Sequence, residues 1–73
     1  MSRLPSLTPR QVTRAFSRAG WSRSEGSEHT LLSHPDHKAV LSVPRHRKSL
    51  GRGLVRRLIA DSGMTRQEFV ELL

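Results

Sequence analysis

The residues with chemistry to offer are few: the histidines His29, His34, His37 and His46, and one dense basic run, Arg45-His46-Arg47-Lys48. An imidazole titrates near neutral pH and can accept or donate a proton under cellular conditions. Guanidinium and ammonium groups hold phosphate oxygens and offset developing negative charge. Together these residue types suit proton transfer on a phosphate-bearing substrate, with His46 as a weaker second candidate for the proton step. Plainer readings of the same residues stand beside that one. A lone strand histidine more often makes a structural hydrogen bond than performs catalysis, His34 beside Pro35-Asp36 suits a turn-shaping role, and the basic run is equally a solvated connection. His29, His34 and His37 with Asp36 or Glu28 offer the donor types of a zinc site. Their spacing crosses a strand and a turn, so the rings should point to different faces, and no cysteine reinforces the pattern. No metal and no cofactor are expected.

Thirteen Lys and Arg against six Asp and Glu leave a net charge of +7. Such an excess favours a polyanion, because each neutralised phosphate releases counterions. Nucleic acid is therefore the leading partner, and solubility is the competing use of the charge. At 34% apolar and 26% charged residues, the composition is that of a globular domain and excludes a disordered tail or a membrane protein. No stretch approaches the roughly 18 consecutive apolar residues of a spanning helix, and Met1 to Leu7 lacks the apolar middle of a secretory signal. The chain reads as cytoplasmic, with only the first five residues as a flexible end. Seventy-three residues hold one domain, 1–73, near the lower limit for an autonomous core, and without cysteine no disulfide supports it.

The elements that must position the histidines follow from local patterns. Leu7-Thr8-Pro9-Arg10-Gln11-Val12 reads as a helix start, with Thr8 as N-cap, Pro9 in the first helical position, Gln11 bonding back, and Leu7 and Val12 as a staple. Val12, Ala15, Phe16 and Ala19 recur at helical spacing until Gly20 stops the helix. Trp21 to Glu25, His29 to His34 and Lys38 to Val43 read as three antiparallel strands, separated by Gly26-Ser27 and Pro35-Asp36-His37. Ala39, Leu41 and Val43 alternate with Lys38, Val40 and Ser42, so one face of the third strand is more apolar than the other, whereas adjacent Leu31 and Leu32 leave the faces of the middle strand undecided. Beyond the polar loop, Leu54, Val55, Leu58 and Ile59 mark a second helix with Arg56 and Arg57 on its outer face. Gly63 ends it, and Met64-Thr65-Arg66-Gln67-Glu68-Phe69 opens a short terminal helix, with a capping box and a staple, expected to reach Leu73. Trp21 is assigned to the core rather than to base stacking. Both main helices on one sheet face make a two-layer α+β domain and leave the other face wet.

Gly26-Ser27-Glu28-His29, His34-Pro35-Asp36, Val43-Pro44-Arg45-His46, Gly53 opening a helix, and Gly63-Met64-Thr65-Arg66-Gln67-Glu68-Phe69, in that order, resemble the HicA mRNA interferases over nearly the whole chain. The resemblance implies a double-stranded-RNA-binding-like fold, a toxin of a toxin–antitoxin pair, an endoribonuclease acting on mRNA without metal, and a HicB-type antitoxin as partner. It places the family's catalytic histidine on His29 and leaves Arg45, His46, Arg47 and Lys48 to hold RNA phosphates. Two positions depart from the family pattern: Glu28 stands between Ser27 and His29, and His37 occupies the place of a turn glycine. Two other functions fit the residues, a non-catalytic RNA-binding module of the same fold and a small protein-binding adaptor.

Overall fold

The computed structural model describes residues 6–73; the first five residues, read from sequence as a flexible end, lie outside the described residues. The element order is α1 (Pro9–Arg18), β1 (Ser22–Glu25), β2 (His29–His34), β3 (His37–Pro44), α2 (Arg52–Ser62) and α3 (Arg66–Val70). The strands form one antiparallel sheet in the order β1-β2-β3, giving the expected α+β arrangement of helix, three-stranded sheet, helix and short helix. Among the described residues no helix is long and apolar enough to cross a membrane.

The start of α1 is built as its residues dictate. Thr8 Oγ1 accepts from the Gln11 N–H at 3.1 Å, and Gln11 Oε1 accepts from the Thr8 N–H at 2.9 Å. These reciprocal bonds satisfy donors that a helix otherwise leaves orphaned. After α1 the chain reverses through Gly20 at φ 96°, a left-handed conformation that a side chain would strain. Its missing Cβ also leaves room for the His34 ring, whose Nε2 would lie 3.1 Å from such an atom.

Pleating assigns every second residue of β2 to the core. Thr30 and Leu32 are buried, whereas Leu31 is 42% exposed on the other face, which resolves the adjacent leucines. Leu32, Leu41 and Val43 from the sheet meet Val12 and Phe16 of α1, Val55 and Leu58 of α2, and Phe69 of α3. The Phe16 ring lies 5.0 Å from that of Phe69 and 6.1 Å from Trp21, the latter edge-on, within the range where aromatic pairs attract beyond simple burial. Leu7 joins this core and its carbonyl accepts from the Leu50 N–H at 2.7 Å, tying the entry to α1 to the entry to α2.

Three elements differ in their bounds from those read in sequence. The first strand begins at Ser22 rather than Trp21, because Trp21 is drawn into the core at 4% exposure. The third begins at His37, which pairs with His34, and ends at Pro44, so only Pro35-Asp36 form the turn. No non-glycine residue among those described has positive φ, so this is not one of the primed turns that match strand twist, and the register shifts between Leu32 and His34. The last helix stops at Val70 and not at Leu73: Arg18 Nη1 donates to the Leu72 carbonyl at 2.8 Å, while the Leu72 and Leu73 amides bond back three residues to Phe69 and Val70. Those bonds tighten the end into a turn that packs Leu72 against the core.

Two measurements test this packing. Phe69→Ala should cost about 3–5 kcal/mol in urea unfolding, as expected for deleting a buried ring, a large share of the roughly 5–15 kcal/mol that holds such a domain together. At the start of α3, Glu68 Oε1 accepts from the Thr65 N–H at 2.8 Å, and that backbone bond, then the Thr65 side chain, lowers the Glu68 pKa below the ordinary value of 4.5. A carboxyl with a depressed folded pKa contributes stability above its unfolded pKa and loses it as pH falls through the folded one. An NMR titration should therefore find the Glu68 midpoint below that of the unfolded chain, and Thr65→Ala, which removes the hydroxyl and keeps the backbone N–H, should move it part of the way back; an unmoved midpoint would discount the side-chain half of the cap.

Candidate active site at the end of the sheet

His29 opens β2 opposite Pro44 of β3, exposed on the face that no helix covers. The turn that delivers it is tight. The Gly26 N–H donates to the His29 carbonyl at 2.8 Å, and a Cβ on Gly26 would sit 2.8 Å from that same oxygen. Only glycine allows so close an approach. Glu28 is accommodated as an exposed turn residue whose carbonyl accepts from the Arg45 N–H at 2.9 Å.

The loop after β3 grips this turn. Arg45 Nη1 donates to the Gly26 carbonyl and its Nε lies 3.3 Å from Glu25 Oε2. The His46 Nε2 is 2.9 Å from the Ser27 carbonyl; a carbonyl can only accept, so this nitrogen carries the hydrogen and Nδ1 is the one left over. Glu25 also pairs with Arg23 at 3.5 Å and accepts from Thr30 Oγ1 at 3.2 Å. Each exposed ion pair contributes about 0–1 kcal/mol, yet all of them converge on the four residues that precede His29.

A groove of about 270 Å³ opens beside the histidine, lined by Glu28, His29, Pro44, His46 and Arg47. Two imidazoles and a guanidinium thus share one solvent-open surface, a combination suited to moving protons next to a phosphate. Lys48 is exposed on the same loop but does not line the groove. Arg45 turns to the opposite side, where it lines a second pocket with Arg10, Arg23 and Thr30. Arg56 and Arg57 lie exposed along α2 and do not line the groove.

His34 and His37 belong to the other end of the sheet, about 17 Å along β2 at the usual rise per residue. His34 Nδ1 accepts from the Asp36 N–H at 3.0 Å and shapes the turn. His37 stacks on Trp21 at 5.3 Å with an interplanar angle of 13°, while His34 contacts Trp21 at 5.4 Å and His37 at 4.9 Å. Sequence reasoning missed Glu25 and the Ser27 carbonyl as parts of the site. The one signal was an acidic residue beside a turn glycine, with the basic run too far along the chain to pair by spacing.

The family model described as HicA toxin of bacterial toxin-antitoxin matches residues 9–64, a span that contains the groove and both segments that frame it. None of the curated proteins matches the chain.

Glycine substitutions separate the turn's geometry from general flexibility. Gly26→Ala should destabilise by about 1–3 kcal/mol, because the added methyl must displace backbone. Gly53→Ala, in the first turn of α2 with nothing within 4 Å of the added carbon, should stabilise by about 0.4–1 kcal/mol by narrowing the unfolded ensemble. Denaturant midpoints of the two variants check both signs.

Proposed function

The chain belongs to the HicA toxin family of bacterial toxin–antitoxin systems, and from that premise we propose that it is a metal-independent endoribonuclease that cuts mRNA in the cytoplasm with His29 as its single essential proton carrier. Family membership implies an antitoxin partner; a HicB-type protein that covers His29 and the basic loop fills that role. The observation that carries the reading is the exposure of His29 on the open sheet face, in a groove shared with His46 and Arg47, where a core histidine making a structural bond would be buried.

RNA brings its own nucleophile. His29 takes the proton of the ribose 2′-hydroxyl as its oxygen attacks the adjacent phosphorus, and the bond from phosphorus to the 5′-oxygen breaks. The leaving oxygen takes up a proton, from water or from the His29 ring that has just gained one, so the products are a 2′,3′-cyclic phosphate and a 5′-hydroxyl. Arg47, with Lys48 behind it on the loop, offsets the charge that builds on the non-bridging oxygens. Arg45 and His46 act mainly by holding the turn that aims His29, since their donors are bonded to Gly26 and Ser27.

Incubation with mRNA in EDTA tests this. The parent chain should leave cyclic-phosphate ends, and His29→Ala should slow cleavage by about 10²–10⁴-fold while unfolding at the same denaturant concentration. Equal cutting by parent and variant would remove His29 from the mechanism. Salt-sensitive RNA binding with no cleavage by either would favour a non-catalytic RNA-binding module.

A further inference from the structure

The surface behind His29 carries a second cluster of cations that cleavage does not use. A pocket of about 340 Å³ lies between the first turn of α1 and the outer strand β1, lined by Arg10, Arg23, Arg45, Glu25 and Thr30 among others. Three guanidinium groups face one carboxylate. Glu25 holds Arg23 and Arg45 through their Nε atoms, at 3.5 and 3.3 Å. This leaves the terminal nitrogens of Arg23 without a partner among the described residues, and those of Arg45 with only the Gly26 carbonyl. Arg10 makes no ion pair among the described residues. No acidic residue stands in the first turn of α1 either, so the helix dipole adds to the positive potential instead of being offset.

Topology relates this pocket to the groove. His29 and Thr30 are neighbours on β2 and point to opposite faces of the sheet. Arg45 lines the pocket and Arg47 the groove, so one short loop carries cations to both sides. The two surfaces lie back to back around the end of the β1–β2 hairpin.

We propose that the Arg10–Arg23–Arg45 pocket is a second phosphate subsite, which takes a backbone phosphate of the same RNA strand a few nucleotides from the bond at His29. A strand wrapped over the hairpin end meets cations on both faces. Planar guanidinium forks suit the non-bridging oxygens, and Glu25 fixes two of the three forks by their inner edges without occupying their outer ones. The pocket supplies grip and register rather than chemistry, and it favours single-stranded RNA, since a duplex does not bend around so small an edge. The inference rests on RNA being the substrate, as in the proposed function.

Binding is read with the His29→Ala chain, by fluorescence anisotropy of a labelled single-stranded RNA across a salt series. Arg10→Ala and the double variant Arg10→Ala/Arg23→Ala should weaken binding, by about tenfold for the pair. They should also lower the slope of log Kd against log salt by about 0.7 for the lost phosphate contact. Arg10→Lys should restore most of the slope, and, because Arg10 holds nothing else in place, its variants should unfold like the parent. In the catalytic chain Arg10→Ala should raise KM on a long RNA and leave a dinucleotide substrate unaffected. An unchanged Kd and slope, with Arg47→Ala raising Kd and lowering the slope, would overturn the subsite. So would variants that lose affinity for an acidic partner protein but not for RNA. Because the first readout is binding, a chain that grips RNA and fails to cut it would count against the nuclease reading alone.

Discussion

The pleat of β2 places each residue of the strand in one of two environments, and the placement of core and site alike depends on which. Thr30 and Leu32 turn under the helices, where Leu32 meets Phe16 and the rest of the buried cluster. His29 and Leu31 are thereby turned outward to solvent. A slip of one residue would exchange the two sets and bury the histidine. The apolar face holds the register, and the register holds the imidazole in the open. Burial of the core thus specifies the reactive surface, although no core residue touches it.

Register alone does not aim a side chain at the first position of a strand, where the ladder ends and fraying begins. Here the loop after β3 closes the open end. Arg45 and His46 bond to three successive peptide groups and one carboxylate of the preceding hairpin. Each interaction is exposed and weak in isolation, but the set acts on a four-residue turn whose glycine already brings two backbone segments into contact. Rigidity at this end comes from convergence rather than from any one strong bond. The same loop then divides, with Arg45 on one face of the hairpin and Arg47 on the other.

The far end of the sheet is held differently. Trp21, His34 and His37 cluster beside Gly20, with His37 stacked on the indole and His34 tilted against it and edge-on to His37, so imidazoles there serve as packing groups that cover a core indole. Residues of one type therefore do two jobs in this chain, and neighbours decide which. A short chain without disulfides has reason to use polar rings in this way, since its supply of large apolar side chains is small.

Much of this was legible in the residues. Thr8 with Gln11 and Thr65 with Glu68 announced two helix starts, because capping is a contest among near neighbours that spacing alone can settle. The turn at Gly26, the stop at Gly20 and the apolar faces of α1 and β3 followed likewise from local rules; the basic run stood out by its charge, whereas His29 was singled out among four histidines only through the family resemblance. What remained for tertiary structure was everything that joins distant segments. The sequence could not say which of Leu31 and Leu32 faces inward, because both are apolar and only packing against Phe16 and Val43 distinguishes them. Nor could it separate Arg45 from Arg47, two residues apart in one basic run. Only the antiparallel return of β3 brings Glu25 and the carbonyls of Gly26 and Ser27 within reach of that loop, and hydrogen bonds to partners some twenty residues away leave no periodic trace in the chain.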